Sequence, residues 1–238
     1  MSLINTLNRK KITLIVSLPE NNLEFAEAAL LAGADVLKIH INVEHRASKT
    51  KFGSLKEELE IIKKMVTLCK QYNKPIGIVA GGNDKIPMDE IKGIIEEGFN
   101  FISLYDKHMN PLIFNEDIYK MVAIDDNYRL EYVQAYDSLP IDVLECSIMD
   151  PSTYGNELTV REILQYKSIR SSTFKPIVVP TQRKITPEQA LILQEIGING
   201  IMIGAIVTGK TKDSIYESTL KFRRAIDNFN NERIINEK

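Results

Sequence analysis

Several residue types are scarce in this sequence of 238 residues: tryptophan is absent, and cysteine occurs only twice. Two cysteines are too few for a zinc site built on cysteines alone. We interpret Cys69, in a predicted helix, and Cys146, in a predicted strand, as small buried apolar side chains rather than a disulfide or a reactive thiol. No apolar run is long enough to cross a bilayer, and residues 1–11 lack the apolar core of a signal peptide. We therefore expect a cytoplasmic protein with no membrane partner.

Neither sign of charge is in clear excess, since 30 lysines and arginines stand against 32 aspartates and glutamates. This balance argues against a nucleic-acid-binding surface spread over the whole molecule, so we expect no nucleic-acid partner. Low-complexity tracts and linkers are also missing, and the chain is close in length to a typical parallel barrel of about 250 residues. The sequence predicts one domain over residues 1–238.

Short apolar runs alternate with helical patterns along the chain. This alternation predicts a parallel sheet, and its regular recurrence predicts an α/β fold, a barrel of the TIM (β/α)8 type. Seven strands are clear, at residues 12–18, 36–41, 75–80, 101–105, 143–148, 176–180 and 201–206. The eighth is uncertain, because the interval between Tyr105 and Val143 is nearly double length. Residues 130–135 are one candidate, although they equally suit a helix that continues from residue 115.

Alternation along the strands predicts which side chains enter the barrel, because successive residues point to the interior and to the surrounding helices in turn. On the second strand, Leu37, Ile39 and Ile41 form an apolar outer face. Its inward residues are then Val36, Lys38, His40 and Asn42. The same rule gives further inward polar residues on two other strands, namely Ser103, Tyr105, Glu145 and Ser147.

Lys38 and Glu145 are predicted to lie close together, because an isolated charge inside a barrel is costly to desolvate. Such a lysine can form a Schiff base or move a proton, and a carboxylate beside it can act as general acid or base. We predict Lys38 and Glu145 as catalytic residues and add His40, the only histidine within a predicted strand. The alternative is a buried ion pair that only fixes packing.

The other two histidines, His45 and His108, follow predicted strands, where functional groups of a barrel collect. A metal site formed by His45, Asp106 and His108 has little support, because these residues lie in separate loops without the spacing of a metal-binding motif. A structural role suits each of these histidines equally well. We predict neither a metal nor a cofactor.

Basic residues recur in the loops that follow strands, and the loop at residues 42–53 is long for such a connection, as lids often are. The basic residues are Arg46, Lys49, Lys51, Lys85, Lys107, Arg183, Lys184 and Lys210. They predict an electropositive mouth that attracts a small anionic molecule. The alternative is that they are ordinary solvated cations, since lysines also occur at the opposite rim.

The region from Ile201 to Thr211 predicts a phosphate-sized anion site. An apolar run leads into Gly204, Ala205 and Gly209 ahead of a helix, and amides at a helix start lack internal partners and bind anions readily. Residues 204–211 also match the P-loop pattern of nucleotide hydrolases. Against that interpretation, only one helical stretch follows the motif, whereas P-loop proteins usually place the rest of their sheet after it.

Residues 197–208, preceded by residues 175–181, resemble the final two strands of the ribulose-phosphate-binding TIM barrels, and residues 12–38 are similar to their opening half. That superfamily includes N-acetylmannosamine-6-phosphate epimerase, indole-glycerol-phosphate synthase, thiamin phosphate synthase and phosphosugar decarboxylases. The resemblance implies a phosphorylated substrate, with Gly204, Ala205 and Thr181 on the phosphate. The chain departs from the family after the seventh strand, where Pro180-Thr181-Gln182-Arg183 replaces glycines.

We interpret the chain as a metabolic enzyme that acts on a small phosphorylated sugar or a related metabolite, as an isomerase, an epimerase or a lyase. The epimerase likeness implies proton transfer next to a carbonyl by a lysine and a carboxylate. A homo-oligomer is compatible with the sequence. The alternatives are a barrel that binds a phosphometabolite without turnover and, with less support, a P-loop nucleotide hydrolase.

Overall fold

The computed structural model describes residues 2–82 and 86–236, and its central feature is a closed barrel of eight parallel strands. The predicted TIM-type α/β fold is therefore confirmed. Each strand pairs with the next along the chain, and the eighth pairs with the first. The strands are β1 Thr13–Ser17, β2 Val36–His40, β3 Ile76–Val79, β4 Phe101–Tyr105, β5 Tyr119–Ile124, β6 Val143–Cys146, β7 Ile177–Pro180 and β8 Gly200–Ile203.

Helices surround the barrel, and one short helix lies ahead of the first strand. The helices in the described residues are α1 Leu3–Leu7, α2 Leu23–Leu31, α3 Leu55–Gln71, α4 Met88–Glu96, α5 Leu130–Ala135, α6 Val160–Ser171, α7 Pro187–Glu195, α8 Ala205–Thr208 and α9 Lys212–Asn236. None of them combines the length and apolarity that spanning a bilayer requires. Single 3-10 turns occur at Pro111–Asn115, Tyr136–Ser138 and Pro151–Thr153.

The eighth strand lies at Tyr119–Ile124, so the candidate at residues 130–135 was wrong. Residues 130–135 form α5, which begins at Leu130 and not near residue 115. The apolar run of the true strand is interrupted by Lys120, whose ammonium leaves the sheet and donates to the carbonyl of Glu116 at 2.7 Å. A charged side chain at an outward position hides a strand from a search for continuous apolar runs.

The last strand also ends earlier than predicted. It stops at Ile203, and residues 204–206 leave the sheet because Gly204 is the N-cap of the one-turn helix α8. The buried residues Cys69 and Cys146 are free thiols, as expected. Burial raises the pKa of Cys69 to about 12, which keeps that thiol protonated and unreactive.

The barrel interior has an apolar half and a polar half. Side chains from seven strands and from α1 fill the half near the strand starts, namely Leu3, Leu7, Ile15, Val36, Phe101, Met121, Val143, Val178 and Met202. A side chain at Gly77 would collide with the ring of Phe101, so glycine makes room for that ring. The remaining core, which includes Leu37, Ile39 and Ile41, packs between sheet and helices. The polar half near the strand ends holds the candidate site.

Candidate active site

Lys38 of β2 and Glu145 of β6 meet inside the barrel, as predicted. The ammonium Nζ lies 2.9 Å from the carboxylate Oε2, and the residues are 4% and 5% exposed. Neither strand neighbours the other in the sheet, so the pair spans the interior. At this burial each charge depends on the other, because neither is solvated by bulk water.

Two serine hydroxyls complete the shell around the Glu145 carboxylate. Ser103 of β4 donates to Oε2 at 2.8 Å, and Ser147 donates to Oε1 at 3.1 Å. The hydroxyl of Tyr105 forms a further side-chain hydrogen bond with Ser147. Both carboxylate oxygens are therefore held in fixed directions by charge-assisted hydrogen bonds. These inward positions were all predicted from strand alternation.

His40 also lies in the interior, and its ring packs against His45 and Phe52, with centroid separations of 4.5 Å and 4.9 Å. Burial lowers the pKa of His40 well below its ordinary value, and the nearby His45 and Lys38 lower it further. The imidazole is therefore neutral at pH 7. Its buried Nδ1 has no hydrogen-bond partner among the described residues, so it is available to a ligand in the cavity.

Asn42 does not enter the barrel, so its predicted inward orientation was wrong. The strand ends at His40, and Asn42 takes a left-handed conformation with φ of 53° that turns the chain outward. Its side-chain amide donates to Glu90 of α4 at 2.6 Å and to the carbonyl of Ala80 at 3.2 Å. Strand alternation stops applying where pairing stops.

A short two-stranded hairpin, Glu44–His45 paired with Thr50–Lys51, covers the site from the loop after β2. His45 Nδ1 accepts a hydrogen bond from the amide of Ser48 at 3.2 Å and lies 2.9 Å from the Ser48 hydroxyl. Burial lowers the pKa of His45 to about 4, and the positive charges of Lys38 and Lys210 also lower it. Lys210 donates to the carbonyl of Ser48 and ties the hairpin to the chain beyond β8.

A cavity of about 180 Å³ lies beneath this hairpin at the carboxyl ends of the strands. Its walls include Lys38, His40, Glu145 and the serines Ser17, Ser103 and Ser147, and also the predicted phosphate residues Thr181, Gly204 and Ala205. The reactive pair and three of the four predicted phosphate residues thus share one cavity. This is the end of a TIM barrel at which active sites occur.

The predicted phosphate residues differ in their surroundings. Thr181 Oγ1 accepts a hydrogen bond from the amide of Gly204 at 3.0 Å, which leaves the threonine proton free to donate. No acceptor in the described chain is bonded to the amides of Ala205 and Ile206, the first two residues of α8. Gly209 lies at the opposite end of this helix, where its amide donates to the carbonyl of Ala205 at 3.0 Å, and it is not part of the cavity wall.

Most residues of the predicted electropositive mouth have other partners. Arg183 pairs with Glu162 at 2.9 Å, and Lys107 pairs with Asp125 at 2.7 Å. Of the predicted loop cations within residues 2–82 and 86–236, only Arg46 lines the cavity. Lys85 lies outside the described residues. The positive charge at the site therefore comes mainly from Lys38 and Arg46.

The segment that matches the P-loop pattern is not a loop in this fold. Residues between Gly204 and Gly209 form the helical turn α8, and Lys210 is bonded to the hairpin. Thr211 bonds to Ser214 at the start of α9. A P-loop needs an open, glycine-rich loop around phosphates at the edge of an open sheet, and neither condition is met by a closed barrel.

The three residues of the weighed metal site have separate surroundings. Asp106 accepts a hydrogen bond from the Tyr136 hydroxyl at 2.7 Å, while His108 packs near Tyr105, with ring centroids 6.1 Å apart. His45 lies in the hairpin with His40 and Ser48. Among the described residues, no group of three or more histidine, cysteine, aspartate or glutamate side chains is placed to hold a metal ion.

Two cavity residues, Tyr154 and Gln182, were missed as site residues from the sequence. Tyr154 lies in the loop after β6, eight residues beyond the strand end, where no periodic pattern indicates a direction. Gln182 follows β7 at the point where the chain departs from its resemblance to glycine-containing relatives. A side chain that replaces a glycine in a site loop was the available signal. Ser17 could have been found by alternation along β1.

No protein-family description matches the chain, and no curated protein matches it. The fold, in contrast, has many solved counterparts. Thiamine phosphate pyrophosphorylase from Pyrococcus furiosus is similar with a TM-score of 0.66 and 16% identity, over 95% of this chain and 98% of that chain. KGPDC from Streptococcus mutans, solved in complex with a phosphorylated ligand, is similar with a TM-score of 0.67 and 13% identity, over 91% of this chain and 98% of that chain.

Ligand-free tryptophan synthase from M. tuberculosis has a TM-score of 0.71 at 8% identity and covers 95% of this chain and 99% of that chain. Identities this low establish the fold alone. The structural neighbours are barrels of the kind that the sequence resembles, the ribulose-phosphate-binding TIM barrels, and they confirm that resemblance at the level of the fold.

Proposed function

We propose that this protein is an enzyme that acts on a small phosphorylated sugar or a related phosphometabolite by proton transfer next to a carbonyl, as an isomerase, an epimerase or a lyase. The observation that carries the proposal is the buried Lys38–Glu145 pair, 2.9 Å apart, in the wall of the same cavity as two unpartnered helix-start amides. One end of the cavity suits an anion, and the other suits acid–base chemistry.

The phosphate would bind where β8 gives way to α8. The amides of Ala205 and Ile206 and the hydroxyl proton of Thr181 supply three hydrogen-bond donors without a carboxylate nearby in that part of the wall. Such donors suit the oxygens of a phosphate. A neighbouring barrel, KGPDC, was solved with a phosphorylated ligand bound, which supports a ligand of this kind for a barrel of this shape.

Glu145 would act as the base and Lys38 as the acid partner. Removal of a proton from the carbon next to a carbonyl sends the electron pair toward the carbonyl oxygen, and the ammonium of Lys38 stabilises the negative charge that forms. Return of the proton to either face or to the neighbouring carbon gives an epimer or an isomer. Breakage of a carbon–carbon bond into the same enolate gives a lyase. The ion pair favours the ammonium form of Lys38 over the free amine that a Schiff base needs.

The test uses proton exchange, because all these reactions share the enolate. We would incubate the protein with a panel of phosphosugars in D2O and follow deuterium incorporation beside the carbonyl by proton NMR and mass spectrometry. The variants are Lys38→Met and Glu145→Gln. The matched control is Lys120→Met, which removes a second buried lysine that lies outside the cavity wall.

The wild type and Lys120→Met are expected to exchange protons of at least one phosphosugar, and the other two variants to lose about 100-fold or more of that rate. Full exchange by Lys38→Met would end the catalytic role of this lysine. Phosphosugar binding in a phosphorus NMR titration without any exchange would support a barrel that binds its ligand without turnover.

A further inference from the structure

The hydroxyl of Tyr154 occupies an unusual hydrogen-bonding position in the cavity wall. The side-chain amide Nε2 of Gln182 donates to Tyr154 Oη at 2.5 Å, and the guanidinium of Arg46 forms a second hydrogen bond with the same oxygen. The orientation of the Gln182 amide is set on its other side, because its Oε1 accepts the amide proton of Met149 at 3.1 Å. Two separate loops thus converge on one phenol oxygen.

Both partners of the phenol oxygen can only donate. A guanidinium has no acceptor, and neither has the nitrogen of a side-chain amide. The proton of Tyr154 therefore cannot be given to Arg46 or to Nε2 of Gln182. Among the described residues, the Glu145 carboxylate accepts from Lys38, Ser103 and Ser147, and no acceptor receives a hydrogen bond from Tyr154. The phenol proton is left for an acceptor in the cavity.

The backbone fixes Tyr154 in this position. The amide of Gly155 donates to the carbonyl of Gln182 at 2.8 Å, and the amide of Lys184 donates to the carbonyl of Asn156 at 2.9 Å. The loops after β6 and β7 are therefore joined on both sides of the tyrosine. Preorganised donors of this kind stabilise charge that develops on a bound oxygen, because they do not need to reorient.

We propose that Tyr154 is a substrate-contacting residue that donates a hydrogen bond to the carbonyl oxygen of the substrate, and that Gln182 and Arg46 are its positioning residues. The substrate class is thereby narrowed to phosphosugars that carry an open-chain carbonyl. This inference rests on the proposed function. It requires no transfer of the phenol proton: when Glu145 removes the neighbouring carbon-bound proton, the electron pair moves to the carbonyl oxygen, and the Tyr154 hydrogen bond strengthens.

The surroundings of Tyr154 agree with a donor that keeps its proton. Burial raises the pKa of Tyr154, while Gln182 and Arg46 oppose that rise. The hydroxyl is therefore protonated at neutral pH, yet its two donors favour negative charge on the oxygen and so strengthen it as a hydrogen-bond donor. Arg46 reaches Tyr154 from the hairpin that covers the cavity, so this arrangement is complete only with the hairpin in place.

The experiment compares two ligands that differ at the carbonyl. Ribulose 5-phosphate cannot close a ring through its phosphorylated hydroxyl, so its carbonyl is free, and ribitol 5-phosphate has a hydroxyl in its place. Binding of both, and of inorganic phosphate, would be measured calorimetrically for the wild type, Tyr154→Phe and Gln182→Met. The matched control is Tyr132→Phe, because the Tyr132 hydroxyl also accepts from an arginine but lies outside the cavity wall. Circular dichroism establishes folding of each variant.

The wild type and Tyr132→Phe are expected to bind the ketose phosphate about tenfold more tightly than the alditol phosphate, the size of one good hydrogen bond. Tyr154→Phe should reduce this ratio to about twofold with unchanged affinity for inorganic phosphate, and Gln182→Met should give an intermediate ratio. An unchanged ratio in Tyr154→Phe, or equal affinities in the wild type, would overturn the inference while the phosphate site stands. If the wild type binds none of the three probes, the proposed function fails and the inference fails with it.

Discussion

Lys38 Nζ and Glu145 Oε2 lie 2.9 Å apart in the barrel interior although 107 residues separate them in the chain. The closed barrel brings them together because β2 and β6 both direct alternate side chains inward. The contact has consequences for stability as well as for chemistry, and the two can be measured separately.

Removal of one member of the pair should destabilise the fold strongly. Lys38→Met leaves the carboxylate of Glu145 buried with only two serine donors, and breaking a buried pair in this way costs about 3 kcal/mol or more. The double variant Lys38→Met with Glu145→Gln should be more stable than the sum of the single losses predicts, because it leaves no buried charge. Urea unfolding of the four proteins measures this coupling. Additive losses would contradict the interdependence of the two charges.

Stability should fall as the pH is lowered from 6.5 toward 4, in part through His45. The pKa of His45 is about 4 in the folded protein and near 6.5 when unfolded, so the unfolded chain binds the proton more tightly. The contribution of neutral His45 is complete above pH 6.5 and is lost at about 1.4 kcal/mol per pH unit as the pH falls toward 4. Urea unfolding at pH 7 and pH 5 should show a smaller loss for His45→Gln than for the wild type. Equal losses would contradict this assignment.

Thr181 should matter for phosphate binding through its hydroxyl alone. Thr181→Val keeps the shape but removes both the acceptor for the Gly204 amide and the proton available to an anion. We expect inorganic phosphate to bind about tenfold more weakly, because hydrogen bonds to charged groups contribute about 1.5–3 kcal/mol. Thr181→Ser retains the hydroxyl and should bind nearly as the wild type does. Phosphorus NMR titration checks both variants, and equal affinity in Thr181→Val would argue against a phosphate at this position.

Lys210 should hold the hairpin rather than a nucleotide. Lys210→Met removes the donor to the Ser48 carbonyl, so amide hydrogen exchange over residues 44–51 should become faster. Lys212→Met is the matched control, because its ammonium pairs with the exposed Glu24 at 3.5 Å and does not contact the hairpin. Exchange rates that do not differ between the two variants would contradict the role of Lys210. Tight magnesium-dependent ATP binding that Lys210→Met abolishes would revive the P-loop interpretation.

The fold and the centre of the site could be predicted because strand alternation is a local rule with long-range consequences. Once β2 was oriented by its apolar face of Leu37 and Ile39, Lys38 and His40 had to point inward, and β6 placed Glu145 by the same rule. The rule failed where pairing ended, at Asn42, and where Lys120 interrupted an apolar run at an outward position. Strand periodicity contains nothing about these local departures.

The remainder of the site is built by loops, whose conformations depend on contacts between distant segments. Tyr154 is placed by Gln182 and Arg46, from two other loops, and neither contact has a sequence period. Gly209 shows the converse: its motif suggested an anion site, but the length of α8 puts it at the far end of that helix. Spacing alone could not distinguish a loop around a phosphate from one turn of helix.

The most direct test of the account is a crystal structure with ribulose 5-phosphate bound. The account predicts the phosphate within hydrogen-bonding distance of the Ala205 and Ile206 amides and the Thr181 hydroxyl, with the carbonyl end beside Glu145 and Lys38. A phosphate bound at the opposite rim of the barrel, or a sugar held with its carbonyl turned away from Glu145, would contradict the central claim that one cavity joins an anion site to this buried pair.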